Sequence, residues 1–546
     1  MLTQNEKETR LKQVYQQLDR KFEEEETQRK AKQQKTPYIN LFGFPIDSAA
    51  LALLTKAEAE SAGAVVFFKE GRNLKLGVLE KNQQVEEVIK KFSSESYYVE
   101  VYFISESSYK RVLDSYSKIV STDRKSQEIE INQAVENVQV ESLKQLGLTL
   151  AKTSATQMID MILGSALNLD SSDIHVEPEA GGIKLRYRID GVLADITILP
   201  KEAHHQLISR IKILSKLKLN IIKAPQDGSF SLTYNSQPVD IRVSVLPSAF
   251  GESVVMRLLR QDKGGLKFEE LGIADNSAKK LLAQMEKPNG MILTTGPTGS
   301  GKTTTLYAIL NKLNEPGVKI ITLEDPVEYK ITGITQTPVD ARAGLTFAAG
   351  LRAILRQDPD VVMVGEMRDL ETAEIGCQAA LTGHIVLSTL HTNDAAGAIP
   401  RLLDLGVKSF VLAPAINAVI AQRLVRKICP ACKKEATLSP QLRARVEMII
   451  SSIPKNSGAV VPKELKFHHS EGCKACKGLG YKGRIGVYEI FTINDEIEKL
   501  ILKGVTHTEV RASAIAAGMV TMAQDGILKA LAGITDVEEV FRVTEE

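Results

Sequence analysis

Residues 296–303 read Gly-Pro-Thr-Gly-Ser-Gly-Lys-Thr. This stretch matches the pattern G-x-x-x-x-G-K-[ST], a loop whose backbone N–H groups turn towards the phosphates of a nucleotide. Apolar residues 291–293 precede the loop as a short strand, and residues 304–310 follow it with a helical pattern. Because strand, loop and helix agree, a chance glycine-rich turn is a poor alternative. We therefore expect the chain to bind ATP or GTP.

The residues of this loop have distinct expected roles. The N-terminus of the following helix adds partial positive charge next to the phosphates. Lys302 would neutralise the β- and γ-phosphates, and the hydroxyl of Thr303 would ligate Mg²⁺. The candidate nucleotide-binding residues here are Gly296, Thr298, Gly299, Ser300, Gly301, Lys302, Thr303 and Thr304.

The composition is that of an ordinary globular protein. The chain has 546 residues, of which 43% are hydrophobic and 25% charged, a length that suits about three or four domains. Its net charge of +2 does not favour nucleic acid as a ligand. The first residues lack the apolar core of a signal peptide, and the best apolar candidate, residues 410–421, is too short to span a bilayer. We therefore expect a cytoplasmic protein.

Two acidic residues stand at the ends of apolar runs. Residues 320–323 lead into Glu324, and residues 360–365 lead into Glu366. Continuous apolar runs are typical of parallel strands buried on both faces, and ligands bind at the carboxyl ends of such strands. A carboxylate there can hold Mg²⁺ or orient the attacking water, so Glu366 is the first candidate and Glu324 the second. The alternative for both, and for the nearby Glu328, is a solvated strand end.

Two histidines flank a further strand within residues 383–392. His391 stands at the polar carboxyl end of that strand, where it would sense the γ-phosphate. A histidine beside an apolar strand is often a structural residue instead, and this alternative stays open for His391 and more so for His384.

Together these motifs resemble those of the secretion ATPase family, the motors of type II secretion and type IV pilus assembly. The matching segments are the Walker A loop at 296–303, an acidic box at 323–329, the Walker B segment at 356–369 and a histidine box at 382–392. The resemblance covers the chain from about residue 150 to its end and, more weakly, residues 37–120. It implies a hexameric ring with nucleotide sites near domain or subunit interfaces.

The resemblance also implies arginines that reach the phosphates from outside the loop. By motif position these are Arg242 and Arg257 in the domain before the motor, acting as arginine fingers on the charge of phosphoryl transfer. Arg352 and Arg356, which share one helical face, match family arginines that serve the site or the subunit interface. Arginines that alternate on a strand can otherwise be solvated surface, and that alternative remains for Arg242 and Arg257.

Four cysteines form two C-x₂-C pairs about forty residues apart: Cys429, Cys432, Cys473 and Cys476. In a reducing compartment such a set indicates structural Zn²⁺ with four thiolate ligands and no open position, and paired disulfides are the alternative. Gly478 and Gly480 suit knuckles whose N–H groups face the thiolates. Cys377 fits a buried small hydrophobe. Assembly and secretion motors of the family tend to carry this element, and retraction motors tend to lack it.

The expected fold class is α/β. The resemblance implies a RecA-like P-loop motor domain, preceded by a PAS-like α/β domain and a small N-terminal α/β domain. The expected divisions are a charged arm at 1–36, the N-terminal domain at 37–120, a linker at 121–150, the arginine-supplying domain at 151–265, and the motor domain at 266–546 with a zinc-binding insertion at about 427–485 and C-terminal helices. Expected strands include 64–68, 74–79, 99–103, 183–189, 239–245 and 253–259; expected helices include 85–92, 107–115 and 157–167.

The resemblance thus implies a hexameric Mg²⁺-dependent ATPase with structural Zn²⁺, acting at the inner face of the cytoplasmic membrane. Its expected partners are an inner-membrane platform protein and a cytoplasmic docking protein, with membrane association through these partners and no direct contact with nucleic acid. A retraction motor, a RecA-like nucleic-acid motor and a non-hydrolysing nucleotide-gated scaffold are the alternatives.

Overall fold

A computed structural model describes residues 22–41, 48–51, 53–70, 72–94, 97–119, 143–150, 155–260, 267–340 and 343–545. These residues belong to two compact units, Met1–Gln133 and Ala134–Glu546. Within the described ranges, no helix combines the length and the apolar character that a bilayer crossing requires.

The first unit is a small α/β domain. Its sheet has the order β1-β2-β3, with β1 antiparallel to β2 and β2 parallel to β3. The strands are β1 Ala64–Glu70, β2 Asn73–Val78 and β3 Tyr98–Phe103. The helices are Ser48–Leu51, Lys56–Ala62, Gln83–Ser94 and Glu106–Ile119. The predicted strands and helices of this region are confirmed, each within a few residues at its ends.

Only part of the predicted charged arm lies within the described residues. Residues 22–33 are helical, and they contact the first unit through their acidic side chains. The Glu24 carboxylate accepts hydrogen bonds from the hydroxyls of Ser105, at 2.7 Å, and Ser108, at 3.1 Å. Ser105 directly precedes the helix Glu106–Ile119, and Ser108 lies in its first turn. The helix at residues 22–33 is therefore bound to the rest of the first unit.

The second unit begins with an antiparallel sheet of order β6-β5-β4-β9-β8-β7. The strands are β4 Ser171–Glu179, β5 Gly182–Ile189, β6 Val192–Leu199, β7 Gln226–Tyr234, β8 Gln237–Ser248 and β9 Gly251–Arg260. The accompanying helices are Leu143–Leu150, Ala155–Asn168 and His204–Leu214. Asp190 and Gly191 form the hairpin turn between β5 and β6, and both have positive φ, as a type I′ turn requires.

The segment predicted as a linker includes the helix Leu143–Leu150, whose Leu146 and Leu150 are buried. Apolar residues three or four apart form the buried face of this helix, and the surrounding polar residues obscure that pattern in the sequence. Residues 121–142 of the predicted linker lie outside the described residues.

The motor sheet follows, with the order β12-β11-β13-β14-β10-β15-β18. All neighbours are parallel except β15 and β18. The strands are β10 Gly290–Thr295, β11 Ile320–Glu324, β12 Thr335–Pro338, β13 Val361–Val364, β14 Ile385–Leu390, β15 Ile416–Ile428 and β18 Tyr481–Thr492. The central strands are buried along their whole length, which confirms the inference from their continuous apolar runs.

Helices cover both faces and the end of this sheet. They are Asp275–Met285, Lys302–Leu313, Phe347–Ile354, Leu370–Leu381, Ala398–Asp404, Ser409–Ala415, Pro440–Ser451, Asp495–Lys503, His507–Ala516, Met522–Leu531 and Val537–Thr544. The apolar run at 410–421 is divided between the helix Ser409–Ala415 and the beginning of β15, where it fills the core.

The predicted cysteine-bearing insertion leaves the sheet on β15 and returns on its neighbour β18. The two strands pair as far as Ile428 and Tyr481. Beyond them a small ribbon of β16 Lys433–Ala436 and β17 Phe467–Ser470 pairs Lys433 with Ser470. Strand pairing on both sides of the cysteines therefore brings the two C-x₂-C pairs of the insertion close to each other.

Candidate nucleotide-binding cleft and metal site

The phosphate loop connects β10 to the helix Lys302–Leu313. Gly301, the residue before that helix, has a φ of 90°, which favours glycine, and a Cβ there would lie only 2.9 Å from the Gln422 amide nitrogen. That amide donates to the Ser300 carbonyl at 2.7 Å. The loop is therefore braced by β15 on the side away from its open face.

Lys302 lies against the loop itself. Its Nζ donates to the carbonyl of Gly296 at 2.7 Å and to that of Pro297 at 3.1 Å. Burial lowers the pKa of this lysine; Glu366 opposes the shift and Arg423 adds to it. The strand–loop–helix context predicted for the motif is present.

One cleft of about 840 Å³ brings the phosphate loop together with the antiparallel sheet. Its lining from the motor domain includes Thr298, Gly299, Gly301, Lys302, Thr303, Thr304, Glu324, Asp325, Glu328, Glu366, Arg368 and His391. Its lining from the antiparallel sheet includes Asp173, Arg188 and Arg257. A volume of this size suits a nucleotide-sized ligand, and the cleft has cationic groups on both walls.

Glu366 lies directly beyond β13, at the edge of the cleft, with only 15% of its side chain exposed. One carboxylate oxygen is 2.6 Å from the Arg368 guanidinium, and the other is 3.5 Å from His391 Nε2. Burial lowers the pKa of His391, the Lys302 charge lowers it further, and Glu366 raises it. The charges of Lys302 and Glu366 therefore both act on the His391 imidazole at this edge of the cleft.

Glu324 ends β11 and also lines the cleft, but its carboxylate is buried and occupied by hydrogen bonds. It accepts from the hydroxyl of Tyr307, from Thr322 Oγ1 at 2.5 Å and from Gln336 Nε2 at 3.2 Å. Burial and the bond to Glu324 raise the pKa of Tyr307, so its phenol stays protonated and donates. This network fixes Glu324 more firmly than Glu366.

Arg257 and Arg242 are directly paired on β9 and β8. Arg257 lines the cleft, and its Nε donates to the Asp173 carboxylate at 3.0 Å. Arg242 lies 3.7 Å from the carboxylate of Glu328, in the acidic box. Both arginines therefore face the motor domain, and the structure brings only Arg257 into the lining of the cleft.

Arg352 and Arg356 lie away from this cleft. Arg352 is exposed and forms an ion pair with Glu371 at 2.6 Å, and Arg356 donates to the Arg352 carbonyl at 3.0 Å. Their side chains share one helical face as expected, but that face is turned to the surface. His384 is also outside the cleft lining, and its Nδ1 is 3.0 Å from the Ala379 carbonyl, which supports the structural alternative for that histidine.

Oxygen donors suitable for Mg²⁺ stand in the cleft. Mg²⁺ prefers carboxylate, hydroxyl and phosphate oxygens and keeps several water ligands. Thr303 is exposed at the first turn of the helix after the loop, and Glu366 lines the same space. These two residues therefore fit the predicted cation.

The four cysteines converge, with all their sulfur atoms within 4.8 Å of one another. Three of the Sγ–Sγ distances are 3.9, 3.8 and 3.8 Å. A tetrahedron with Zn–S bonds of about 2.3 Å places its sulfurs about 3.8 Å apart, so the set fits Zn²⁺. The N–H of Gly480 donates to Cys476 Sγ at 3.2 Å, as expected, whereas that of Gly478 donates to the Cys473 carbonyl. Cys377 is buried in the motor core, as predicted.

Several charged residues of the cleft were not singled out from the sequence, among them Arg188, Asp173 and Arg368. Arg188 is the next-to-last residue of β5, close to the Asp190-Gly191 turn, and Asp173 on β4 forms ion pairs with both Arg188 and Arg257. Arg368 follows Glu366 by two positions. The alternation of Lys184, Arg186 and Arg188 along β5 signals a basic sheet face, but not that the face meets the phosphate loop.

Comparisons with known proteins give consistent matches. The family model for type II/IV secretion system proteins matches residues 150–542. Type II secretion system protein E of Pseudomonas aeruginosa is 47% identical over 390 residues, which cover 71% of this chain and 75% of that protein. The type IV pilus assembly ATPase PilB of Myxococcus xanthus is 36% identical over 513 residues, covering 93% and 89%.

A solved structure shares the fold. The ATPase DotB of Legionella pneumophila superposes with a TM-score of 0.51 at 21% identity, over 70% of this chain and 94% of that one.

Proposed function

This chain belongs to the type II/IV secretion system protein family, and we propose that it is a Mg²⁺-dependent ATPase of the branch that powers type II secretion or type IV pilus assembly. One observation carries this proposal: the phosphate loop, Glu366 and Arg257 line a single cleft between two parts of one compact unit. The names of the relatives, a type II secretion protein and a pilus assembly ATPase, support the same assignment.

Each wall of the cleft has its own part in hydrolysis. Lys302 and the loop N–H groups bind the phosphates, and Thr303 with Glu366 would hold Mg²⁺, which would neutralise phosphate charge. Glu366 orients or deprotonates the attacking water, and His391, 3.5 Å away, senses the γ-phosphate. Glu324 supports this edge of the site through its fixed hydrogen bonds.

The arginines act from the opposite wall. Arg257 stabilises the charge that develops during phosphoryl transfer, while Asp173, at 3.0 Å from its Nε, orients its guanidinium. Arg242 assists from its position beside Glu328 and approaches the nucleotide as the sheets move. Because the arginines and the phosphate loop belong to different sheets, hydrolysis is coupled to movement of one sheet against the other.

We place this motor in a hexameric ring at the cytoplasmic face of the membrane. Arg352 and Arg356 are exposed and lie away from the cleft. Of the two roles that the family resemblance implies for them, we therefore assign them to the interface between subunits. The ring drives an inner-membrane platform protein and docks through a further cytoplasmic partner. The cysteine set would hold a structural Zn²⁺. We also propose that the domain with the antiparallel sheet is PAS-like and that the motor domain is RecA-like.

The test is ATP turnover by the purified full-length protein, with Lys302→Ala as the inactive control and Lys287→Ala as a matched surface control. Turnover that requires Mg²⁺ and is lost only in Lys302→Ala supports the proposal. Nucleotide binding without turnover indicates a gated scaffold, and stimulation by DNA with a steep salt dependence indicates a nucleic-acid motor. A deletion strain whose pili form but do not retract indicates a retraction motor.

A further inference from the structure

The cysteine knuckle contacts the antiparallel sheet as well as the motor. Lys477 directly follows Cys476, and its backbone has a φ of 54°, which turns the chain sharply beside the thiolate. The Nζ of Lys477 donates to the backbone carbonyl of Asn168 at 2.6 Å and also contacts the side-chain oxygen of that residue. Asn168 is the last residue of the helix that precedes β4.

A second contact lies where β18 begins, a few residues beyond the cysteines. The N–H of Gly483 donates to the Asp190 carboxylate at 3.0 Å, and the Arg484 guanidinium is 3.9 Å from the same carboxylate. Asp190 forms the turn after β5, two residues from Arg188. Arg484 and Arg188 both line the nucleotide cleft.

The two contacts hold neighbouring points of the arginine-bearing sheet. Asn168 lies three residues before the start of β4, which carries Asp173, and Asp190 directly follows β5. Four thiolates that share one metal fix the conformation of the knuckle, because a closed tetrahedral site leaves its loops little freedom. The direction in which Lys477 projects therefore depends on the metal site.

We propose that Lys477, Gly483 and Asp190 form a latch through which the metal-loaded cysteine knuckle positions the arginine-bearing sheet over the nucleotide cleft. The inference rests on the proposed function for the identity of the nucleotide, while the latch itself concerns only contacts within this chain. Lys477 is a positioning residue in this scheme. Since coupling between two binding sites is reciprocal, metal at the cysteines strengthens nucleotide binding, and nucleotide slows the loss of metal.

The experiment compares the zinc-loaded full-length wild type with Lys477→Met, Lys477→Arg and Lys474→Met. Lys474 is an exposed lysine of the same knuckle, so its substitution removes equal charge without touching Asn168. Zinc content is measured first, because each variant must retain the metal. Backbone hydrogen exchange is then followed in peptides that cover residues 168–172 and 188–192.

We expect exchange in the peptide covering residues 168–172 to be about tenfold faster in Lys477→Met, the factor for one lost charge-assisted hydrogen bond at a half-exposed site. Exchange in the peptide covering residues 188–192 should rise by a smaller factor, because Gly483 still donates to Asp190. Lys474→Met should match the wild type, and Lys477→Arg should restore slow exchange. Zinc removal by a chelator should weaken ADP binding about fivefold in the wild type and by a smaller factor in Lys477→Met, which already lacks one of the two contacts.

Wild-type exchange in Lys477→Met with zinc bound, or equal losses of ADP affinity in both proteins on chelation, would overturn the latch. A wild type that hydrolyses no ATP overturns the proposed function instead and leaves the exchange result valid. The two failures are therefore distinguishable.

Discussion

Replacing Glu366 by glutamine should separate nucleotide binding from hydrolysis. The substitution keeps the shape of the side chain and removes its charge. Glu366 lies at the end of β13 with one oxygen 2.6 Å from Arg368 and the other 3.5 Å from His391. The contacts of Lys302 with the loop carbonyls do not involve it, so the phosphate loop should remain intact.

The expected loss follows from the role of a positioned base. Such a group contributes about 10²- to 10⁴-fold to the rate, which corresponds to about 2.7 to 5.4 kcal/mol of barrier height. We expect kcat for ATP hydrolysis to fall by this factor. ADP affinity measured without Mg²⁺ should be retained or increase, because a negative charge near the phosphates has been removed.

The same variant has an electrostatic signature that a folding defect would not produce. Burial and the Lys302 charge lower the pKa of His391, whereas Glu366 raises it. Without Glu366 the pKa of His391 should fall further, so the imidazole should lose its proton at a lower pH. An NMR titration of the His391 ring measures this change.

Phosphate release, ADP binding and the titration should be compared with those of Glu374→Gln, an exposed glutamate on the helix Leu370–Leu381. That control should resemble the wild type in all three. Turnover by Glu366→Gln above about one tenth of the wild-type rate, well outside the range for a general base, would refute the assignment of Glu366. An unchanged His391 titration would refute the electrostatic account.

Three further predictions concern the arginine wall, the C-terminal helices and the metal site. Arg257→Ala should lower kcat by about 10³-fold or more while ADP binding changes little, as for loss of an arginine finger; single-turnover hydrolysis measures this. Glu539→Gln should reduce the free energy of unfolding in urea by about 1.5 to 3 kcal/mol, because Arg426 and Arg542 lose charge-assisted hydrogen bonds to a buried carboxylate. Burial alone would raise the pKa of Glu539, but hydrogen bonds from these arginines lower it to about 2; its stabilising effect is therefore full above the ordinary value of 4.5 and lost as the pH falls towards 2, and the glutamine variant should lack this part of the acid dependence. Cys476→Ser should release most of the bound zinc in elemental analysis, whereas Cys377→Ser should retain it.

The motor sheet was predictable because its strands are buried on both faces. A strand such as β13 can then contain only apolar residues until it reaches the ligand edge, where Glu366 marks the end. The phosphate loop was predictable for a related reason: few residue types fit a backbone that turns its N–H groups to phosphates. The four cysteines were predictable because metal ligation fixes the residue type and the spacing within each pair.

Orientation was much less accessible from the sequence. The spacing of Arg352 and Arg356 predicts that they share a helical face, but the direction of that face depends on how the helix packs on the sheet. The alternation along β5 places Arg188 on one side of the sheet, and only the tertiary arrangement shows that this side lines the cleft. Likewise, the contact of Lys477 with Asn168 joins residues far apart in the chain, and spacing carries no signal for it.

Phosphate release from ATP and native mass, measured on the same full-length sample with and without Mg²⁺, decide whether this cleft belongs to a motor ATPase. We predict a hexamer that hydrolyses ATP only when Mg²⁺ is present. If the protein binds nucleotide but releases no phosphate in any assembly, including one supplied with the membrane platform protein, then this cleft is not the site of a motor ATPase.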